Sequence, residues 1–337
     1  MHLPAPTSAY SVLPFEHTVG SHANAAASAH LLADHIQGLS ISSRRQLGII
    51  LKKWSAFLEV IGIQRTPDQL REDPTAWSFI SWGLVQAYLK LLLGEGYATT
   101  TINLHLAMLR SLIYLAHQAG GIRDESEIQR IRTIRGYGSR RSKNVNQQRE
   151  TDNIPTRIGT KKEEWVSISP EEASLLKHGH ADTPQGRRDT FLMCLLLDHG
   201  LRVSEVSELK AQDFDLKNGL LRFYRPKVDK EQVHRFSADL LFAVRAYFGA
   251  GDAPTQGLVL RVSKKNGELG KAGMTTRRIT ERVCDLGKQV LGIANLRAHD
   301  CRHYWATAAV RNGTDIKALQ TAGGWNSPAM PLRYAEE

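Results

Sequence analysis

Leu47, Ile50, Leu51, Trp54, Phe57 and Leu58 recur every three or four positions, the spacing that lines one face of a helix with apolar side chains, with Arg44, Arg45, Lys52 and Lys53 among them. Ala23 to Ile36 is alanine-rich and predicts a helix before it. Pro67 and Pro74 punctuate the following loop. Val85, Tyr88, Leu89 and Leu92 predict another amphipathic helix, ended by Gly94 and Gly96. Thr99 or Thr100 can cap the next, whose apolar face runs Ile102, Leu106, Leu109, Ile113 and Ala116 up to Gly120 and Gly121. Residues 22 to 121 therefore read as a small all-helical bundle. Ahead of it, Pro4, Pro6 and Pro14 lie in a stretch without periodicity, which predicts a flexible arm over residues 1–21.

The pattern changes after the bundle. Gly136 to Lys162 is polar and basic without apolar periodicity, as expected of a linker. Ser169-Pro170-Glu171-Glu172 then carries the marks of a helix start: a capping serine, proline at the first position and acids in the first turn. Phe191 to Leu197 is continuously apolar. It is far shorter than the roughly 20 residues of a membrane span, so it predicts a buried helix. Gly219 to Tyr224 reads as a strand and Val233 to Phe236 as its partner, with Pro226 to Glu231 as the turn. Helices are expected to dominate from there to the end, and no internal repeat is evident. The expectation is a mainly α protein with a small β-hairpin: an arm over 1–21, a helical domain over 22–135, a basic linker over 136–165 and a mixed α/β domain over 166–337.

With 337 residues, 42% of them hydrophobic and 23% charged, the chain has room for two cores and the composition of a soluble globular protein. Cys194, Cys284 and Cys301 are scattered, with neither metal spacing nor a disulfide framework, which fits a reducing cytoplasm. No basic region leads into an apolar stretch at the N-terminus, so no secretory signal is expected. Charge sharpens the picture more. Of a net +10, the window Gln129–Lys162 supplies most, with ten Lys or Arg against Glu150 and Asp152. Such a run is either a solvated linker or a segment that tracks a nucleic-acid backbone. A basic stretch between two nearly balanced halves favours the second, with Arg140, Arg141 and Lys143 in it and Arg44 and Arg45 in the helical bundle as the candidate backbone contacts.

Two arginine-bearing signatures complete the reading. One is His199-Gly200-Leu201-Arg202-Val203-Ser204-Glu205-Val206; the other is His299-Asp300-Cys301-Arg302-His303, followed by Tyr334. Two guanidiniums able to clamp one phosphate, a histidine able to move a proton and a nucleophilic phenol suffice to cut a phosphodiester without metal. Asp and Glu form no cluster, and no Cys/His set is spaced to hold an ion. Glu205 lies one helical turn beyond Arg202 and could pair with it structurally.

These residues resemble the tyrosine recombinase, or phage integrase, family. His199 to Lys210 is similar to its first arginine box, and His299 to Glu336, almost forty contiguous residues, to its second. The helical N-terminal part is similar to the family's core-binding, SAM-like domain, so that the resemblance spans roughly residues 22–337. It implies Tyr334 as the nucleophile, Arg202 and Arg302 on the non-bridging phosphate oxygens, His299 in proton transfer and Glu205 in support of Arg202. It also implies Trp325 at the position where many members carry histidine; an indole N–H can donate to a phosphate but cannot shuttle a proton. The family places a lysine acting as general acid in a β-hairpin turn. Here the turn offers Lys227, which aligns better, and Lys230. His303, next to Arg302, is expected to point elsewhere and to support rather than react.

The resemblance further implies sequence-directed cutting and rejoining of double-stranded DNA through a 3′-phosphotyrosyl link, with no cofactor, metal or ATP. It implies a tetramer on DNA and a location at the nucleoid. Many members continue past the tyrosine into a helix that packs against a neighbouring subunit; three residues follow Tyr334 here. The competing readings are a type IB topoisomerase or telomere resolvase with similar chemistry, a catalytically idle DNA-binding protein of the same fold, and a metal-dependent nuclease. The last would need a set of carboxylates that the sequence does not group.

Overall fold

The computed structural model describes residues 14–159, 165–226 and 228–335. Lys161, Lys162 and Lys227 lie outside them, as does most of the expected N-terminal arm. The chain divides into two compact units, Met1–Lys161 and Lys162–Glu337.

The first unit is helical: α1 Pro14–Ala29, α2 Leu31–Gly38, α3 Ile41–Val60, α4 Pro67–Glu72, α5 Trp82–Gly94, α6 Thr99–Gln118, α7 Glu125–Thr133 and α8 Ser139–Thr151. The apolar stripes read from the sequence of α3, α5 and α6 form its core. Trp54 sits at the centre, edge-on to Tyr88 at 4.8 Å and beside Trp77, whose indole donates to the Leu70 carbonyl at 2.8 Å. Ser40, Thr66, Ser81 and Asp124 cap α3, α4, α5 and α7 through their side chains.

Several local expectations are corrected. Residues 14–21, placed in a flexible arm, belong to α1, and the single helix expected over 23–36 is broken at His30 into α1 and α2. Neither Thr99 nor Thr100 caps α6; the cap position is Ala98, without a side-chain bond. Most notably, the segment expected as a linker contains α8. It has no apolar stripe, so periodicity could not find it. Polar bonds hold it instead: Asn103 exchanges two hydrogen bonds with the backbone of Tyr137, and buried Arg149 donates to the Tyr97 and Pro155 carbonyls. Arg149 thus belongs to the packing of this unit, whereas Arg140, Arg141 and Lys143 are exposed on α8 and Arg44 and Arg45 on α3.

The second unit contains α9 Pro170–His178, α10 Pro184–Leu197, α11 Val203–Glu208, β1 Phe214–Asp215, β2 Leu220–Arg225, β3 Lys230–Arg235, α12 Ala238–Gly249, β4 Arg261–Ser263, β5 Leu269–Gly273, α13 Thr276–Leu291, α14 Ala298–Arg311, α15 Ile316–Gly323 and α16 Ala329–Ala335. As expected, Ser169 and Glu172 form a capping box at α9, and the apolar run of α10 is buried throughout. Helix α10 packs against α9, α12 and α14, so the first signature, just past its C-terminus, is delivered next to the second, on α14. Strands β1, β2 and β3 form an antiparallel sheet in that order, with Leu220 opposite Arg235 and Arg225 opposite Lys230. The mainly α fold with a small sheet is therefore as expected, but β4 and β5 form a second hairpin that was not anticipated in the stretch where helices were expected to dominate. These strands are too short and too weakly alternating to stand out.

Asp189 anchors this core. Its carboxylate takes the Arg188 guanidinium at 2.7 Å and that of Arg282 at 2.5 Å, with Asp189 and Arg188 both almost fully buried. Removing the acid would leave the buried Arg188 without its counter-charge, held among the described residues only by the Arg261 carbonyl and the Ser263 hydroxyl. Asp189→Ala is expected to destabilise the unit by about 3–5 kcal/mol. Urea unfolding should show a lowered midpoint at unchanged slope, and a loss under about 1 kcal/mol would contradict this role for the triad.

Candidate active site

Past the end of α10 the chain turns at Gly200, in the left-handed region at φ +57°. A side chain there would collide with the Trp305 ring, only 2.2 Å from the ideal Cβ position, so glycine is required on both counts. The turn ends at Arg202, the cap position of α11. Glu205, buried one turn on, accepts from the Arg202 backbone N–H at 2.9 Å and from its Nη1 at 2.7 Å. One carboxylate thus starts the helix and aims the guanidinium. The pairing of Arg202 with Glu205 seen as a structural possibility in the sequence is present, yet the Arg202 side chain keeps 23% of its exposure.

Arg302, on α14, is almost fully buried. Its Nη1 donates to the Gly200 carbonyl and its Nη2 to the Gly323 carbonyl at 2.5 Å, and its Cζ lies 4.5 Å from the centre of the Trp325 ring. Arg202 Nη2 donates to the next carbonyl, Gly324, at 3.1 Å. Both arginines therefore converge on the C-terminal end of α15, where unpaired carbonyls and the helix dipole favour cations. Burial first, then repulsion from Arg202 and Arg225, lowers the Arg302 pKa to about 9, and the guanidinium remains charged at neutral pH.

Tyr334, on α16, is buried, with its ring 5.7 Å from Trp325 and 4.9 Å from His303, edge-on to the latter. It lies within electrostatic reach of Arg302. His299 is exposed one turn before Arg302 on α14. Desolvation, then the Arg302 charge, holds its pKa below the ordinary histidine value, which favours a neutral imidazole able to accept a proton. His303 does not point away from the site as expected. One turn beyond His299 on the same helix face, His303 lies edge-on to the Tyr334 ring and stacks on Trp165 at 4.5 Å. Lys230 is exposed at the start of β3, and Lys227 lies outside the described residues. The structure thus brings Arg202, Glu205, Arg302, Trp325 and Tyr334 into one neighbourhood with His299 at its edge, and no cluster of His, Cys, Asp or Glu that could hold a metal occurs among the described residues.

Sequence reasoning gave no role to three polar residues whose polar side-chain atoms the fold buries. Arg225 closes β2 on the inward-facing side, in register with Leu221 and Phe223; a cation on the apolar face of an alternating strand was the available signal. His199 and His234 stack at 5.6 Å, each with Nε2 buried and lacking a hydrogen-bond partner among the described residues. Burial lowers their pKa values to about 4 and about 3, with His199 and Arg225 adding repulsion at His234. Their pKa values are depressed on folding, so the unfolded chain binds more protons below pH about 6.5 and stability falls with pH from there toward about 4. The loss should be on the order of 3 kcal/mol per histidine across that window. Unfolding measured between pH 7 and 4 should show this slope reduced in His199→Asn; an unchanged slope would assign the acid lability to other groups.

The model of the phage integrase family matches residues 167–337, just over half of the chain and nearly all of the second unit. The tyrosine recombinase XerC of Syntrophus aciditrophicus is 25% identical over 307 residues, covering 88% of each chain. XerA of Thermococcus kodakarensis is 28% identical over 153 residues, 45% of this chain and 52% of XerA, and XerD of Neisseria meningitidis serogroup B is 30% identical over 173 residues, 50% of this chain and 54% of XerD. The chain thus matches about half the length of XerA and XerD. Among solved structures, the Tn1549 transposon integrase in complex with transposon right end DNA aligns with a TM-score of 0.59 at 17% identity, covering 91% of this chain and 94% of that one. The lambda integrase dimer bound to a COC′ core site aligns with a TM-score of 0.55 at 14% identity, over 97% and 82%. At such identities the structural likeness concerns the fold alone. The family match, in contrast, runs through both arginine boxes and Tyr334, and on that ground the chain belongs to the phage integrase family.

Proposed function

We propose that this protein is a site-specific recombinase that cuts and rejoins double-stranded DNA through a 3′-phosphotyrosyl intermediate on Tyr334. The observation that carries the reading is the convergence of Arg202 and Arg302 on one helix end, with Tyr334 packed against the tryptophan that Arg302 covers. The phenol oxygen of Tyr334 attacks the scissile phosphorus while His299 accepts its proton. The bond to the 5′ oxygen breaks, and a lysine of the β2–β3 turn, Lys227 or Lys230, protonates that oxygen as it leaves. Arg202 and Arg302 stabilise the charge that builds on the non-bridging oxygens. One N–H of each Arg302 Nη is committed to the Gly200 or Gly323 carbonyl, and the remaining N–H donors of the fork are left to meet a phosphate. Trp325 donates to the phosphate through its indole N–H. A 5′ hydroxyl from a partner strand then reverses the step. The ester energy is kept in the tyrosyl link, and the reaction consumes no ATP and requires no metal.

The exposed Arg44, Arg45, Arg140, Arg141 and Lys143 bind the DNA backbone, and strand exchange is carried out by a homotetramer assembled on two sites. The XerH recombinase, which shares the fold at a TM-score of 0.54 and 16% identity over 88% of this chain and 76% of its own, is described bound to a palindromic substrate in a post-cleavage complex, which supports a duplex as partner. No helix among the described residues is long and apolar enough to cross a membrane, consistent with a protein that acts at the nucleoid.

The test uses nicked duplexes tiled across the DNA flanking the gene, incubated with the protein in EDTA. A nick beside the cut lets the short leaving strand escape and traps the adduct. The expected result is a covalent complex at one sequence, resistant to EDTA. Tight binding with no adduct at any tile would favour an idle DNA-binding protein, and cleavage that EDTA abolishes would favour a metal nuclease.

A further inference from the structure

Arg225 has no exposed surface, yet an apolar side chain would continue the inward face set by Leu221 and Phe223. A buried cation is costly unless its donors are met. Arg225 Nη1 donates to the Gly323 carbonyl, and Nε lies 3.8 Å from Glu205 Oε1. Its Cζ sits 5.0 Å from the centre of the Phe223 ring, while Nε and Nη2 make no hydrogen bond among the described residues. The guanidinium also fills the space under the turn after α15. Gly324 there has φ +60°, and a Cβ on it would come within 2.8 Å of Arg225 Cδ and Nη1.

The two groups that Arg225 reaches are the two that aim the other arginines. Gly323 O also holds Arg302, and Glu205 also holds Arg202. Three guanidiniums surround a single carboxylate, a concentration of positive charge that an incoming phosphate relieves. On its other side, Arg225 is the last residue of β2. It pairs directly with Lys230, and Lys227 is two residues further along the chain. Its carbonyl accepts from Val228 N–H at 3.2 Å, closing the turn.

We propose that Arg225 is a positioning residue for strand cleavage: it ties the β2–β3 turn, and with it the lysine that protonates the leaving 5′ oxygen, to the carbonyl and carboxylate that orient Arg302 and Arg202. This rests on the recombinase reading above. Arg225 touches neither DNA nor the reacting atoms. It acts by keeping the proton donor in register with the phosphate-binding pair, and an error of about 1 Å in such a register can cost on the order of 100-fold in rate.

The experiment compares two nicked duplexes that differ in the bridging 5′ atom of the scissile phosphate, oxygen or sulfur. In both, the Tyr334 oxygen–phosphorus bond forms as the phosphorus–leaving-group bond breaks. Oxygen needs a proton as it leaves. Sulfur departs as a thiolate, since a thiol titrates near pH about 8.5 and needs no acid. Single-turnover adduct formation by the full chain is measured for wild type, Arg225→Met, Arg225→Lys, Lys227→Ala and Lys230→Ala, together with DNA binding and a thermal melt.

On oxygen, Arg225→Met should be slower by about 10- to 100-fold. On sulfur it should come within about 3-fold of wild type, with DNA binding changed by no more than about 3-fold, and one of the two lysine variants should share that rescue. Arg225→Lys, which keeps a cation and a donor for Gly323, should recover part of the loss. If the methionine variant fails to fold, the sulfur-to-oxygen rate ratio of Arg225→Lys decides: a ratio above wild type supports the assignment, and an equal ratio overturns it. Equal losses on both substrates, no loss on oxygen, or no rescue of either lysine variant would each overturn it while leaving Tyr334 chemistry intact. A wild type that forms no adduct on either substrate would instead sink the recombinase reading, and this inference with it.

Discussion

Tyr334→Phe is expected to eliminate the covalent protein–DNA complex while leaving DNA binding within about a factor of two. Removing the nucleophile of a covalent catalyst typically costs at least 10⁴-fold, because the remaining groups stabilise a transition state that can no longer form. The substitution is well matched to its surroundings. Tyr334 is buried, and its ring contacts to Trp325 and His303 need only the aromatic carbons. Phenylalanine keeps that packing, so the thermal midpoint should move by only a few degrees, about what 1 kcal/mol produces in a domain of this size. The measurement is a denaturing gel of the trapped adduct beside a native binding assay on the same DNA. An adduct that survived the substitution would place the nucleophile on another residue and dismantle the proposed chemistry. Loss of adduct together with loss of binding and melting temperature would show only that α16 supports the fold.

What could be read from the sequence follows from the kind of signal each element carries. Helices α3, α5, α6 and α10 are built on apolar residues at helical spacing or in one unbroken run, and those residues form the cores. Helix α8 escaped because it is held by Asn103 and Arg149 rather than by an apolar face, and such bonds to distant backbone leave no trace in local periodicity. The residues proposed to react were legible for another reason. Arg202 with Glu205 and His299 with Arg302 are local pairs one helical turn apart, with wording that survives in a linear text. Arg225 and His303 were not, because their importance depends on what the fold sets against them: the end of α15 in one case and the Tyr334 ring in the other. Position 227 lies outside the described residues, so the choice between Lys227 and Lys230 stays with the lysine variants described above.

Arg302→Lys is expected to slow adduct formation by about 10²- to 10³-fold, the usual cost of losing one preorganised donor to a developing charge. Lysine keeps the charge but not the planar fork. In place of a group that spans the Gly200 and Gly323 carbonyls and sits over the Trp325 ring, it offers a point charge on a flexible stem. Two consequences should separate. The rate falls because a phosphate can no longer be met by paired donors. Stability falls too, by about 1–3 kcal/mol, because at least one of those carbonyls loses its partner in a site that water does not reach. Arg202→Lys provides the internal comparison. Its guanidinium is partly exposed, and a lysine ammonium can reach toward the buried Glu205 carboxylate and the Gly324 carbonyl in its place. Its rate should fall by a similar factor with little change in stability. In both variants the loss should appear in the single-turnover rate at saturating DNA and leave the concentration dependence nearly unchanged, the signature of an interaction made chiefly in the transition state. A near-normal rate for Arg302→Lys would mean that the phosphate is held elsewhere. A loss confined to DNA affinity would make the pair a docking surface, and the convergence of both arginines on the end of α15 would then need a structural explanation alone.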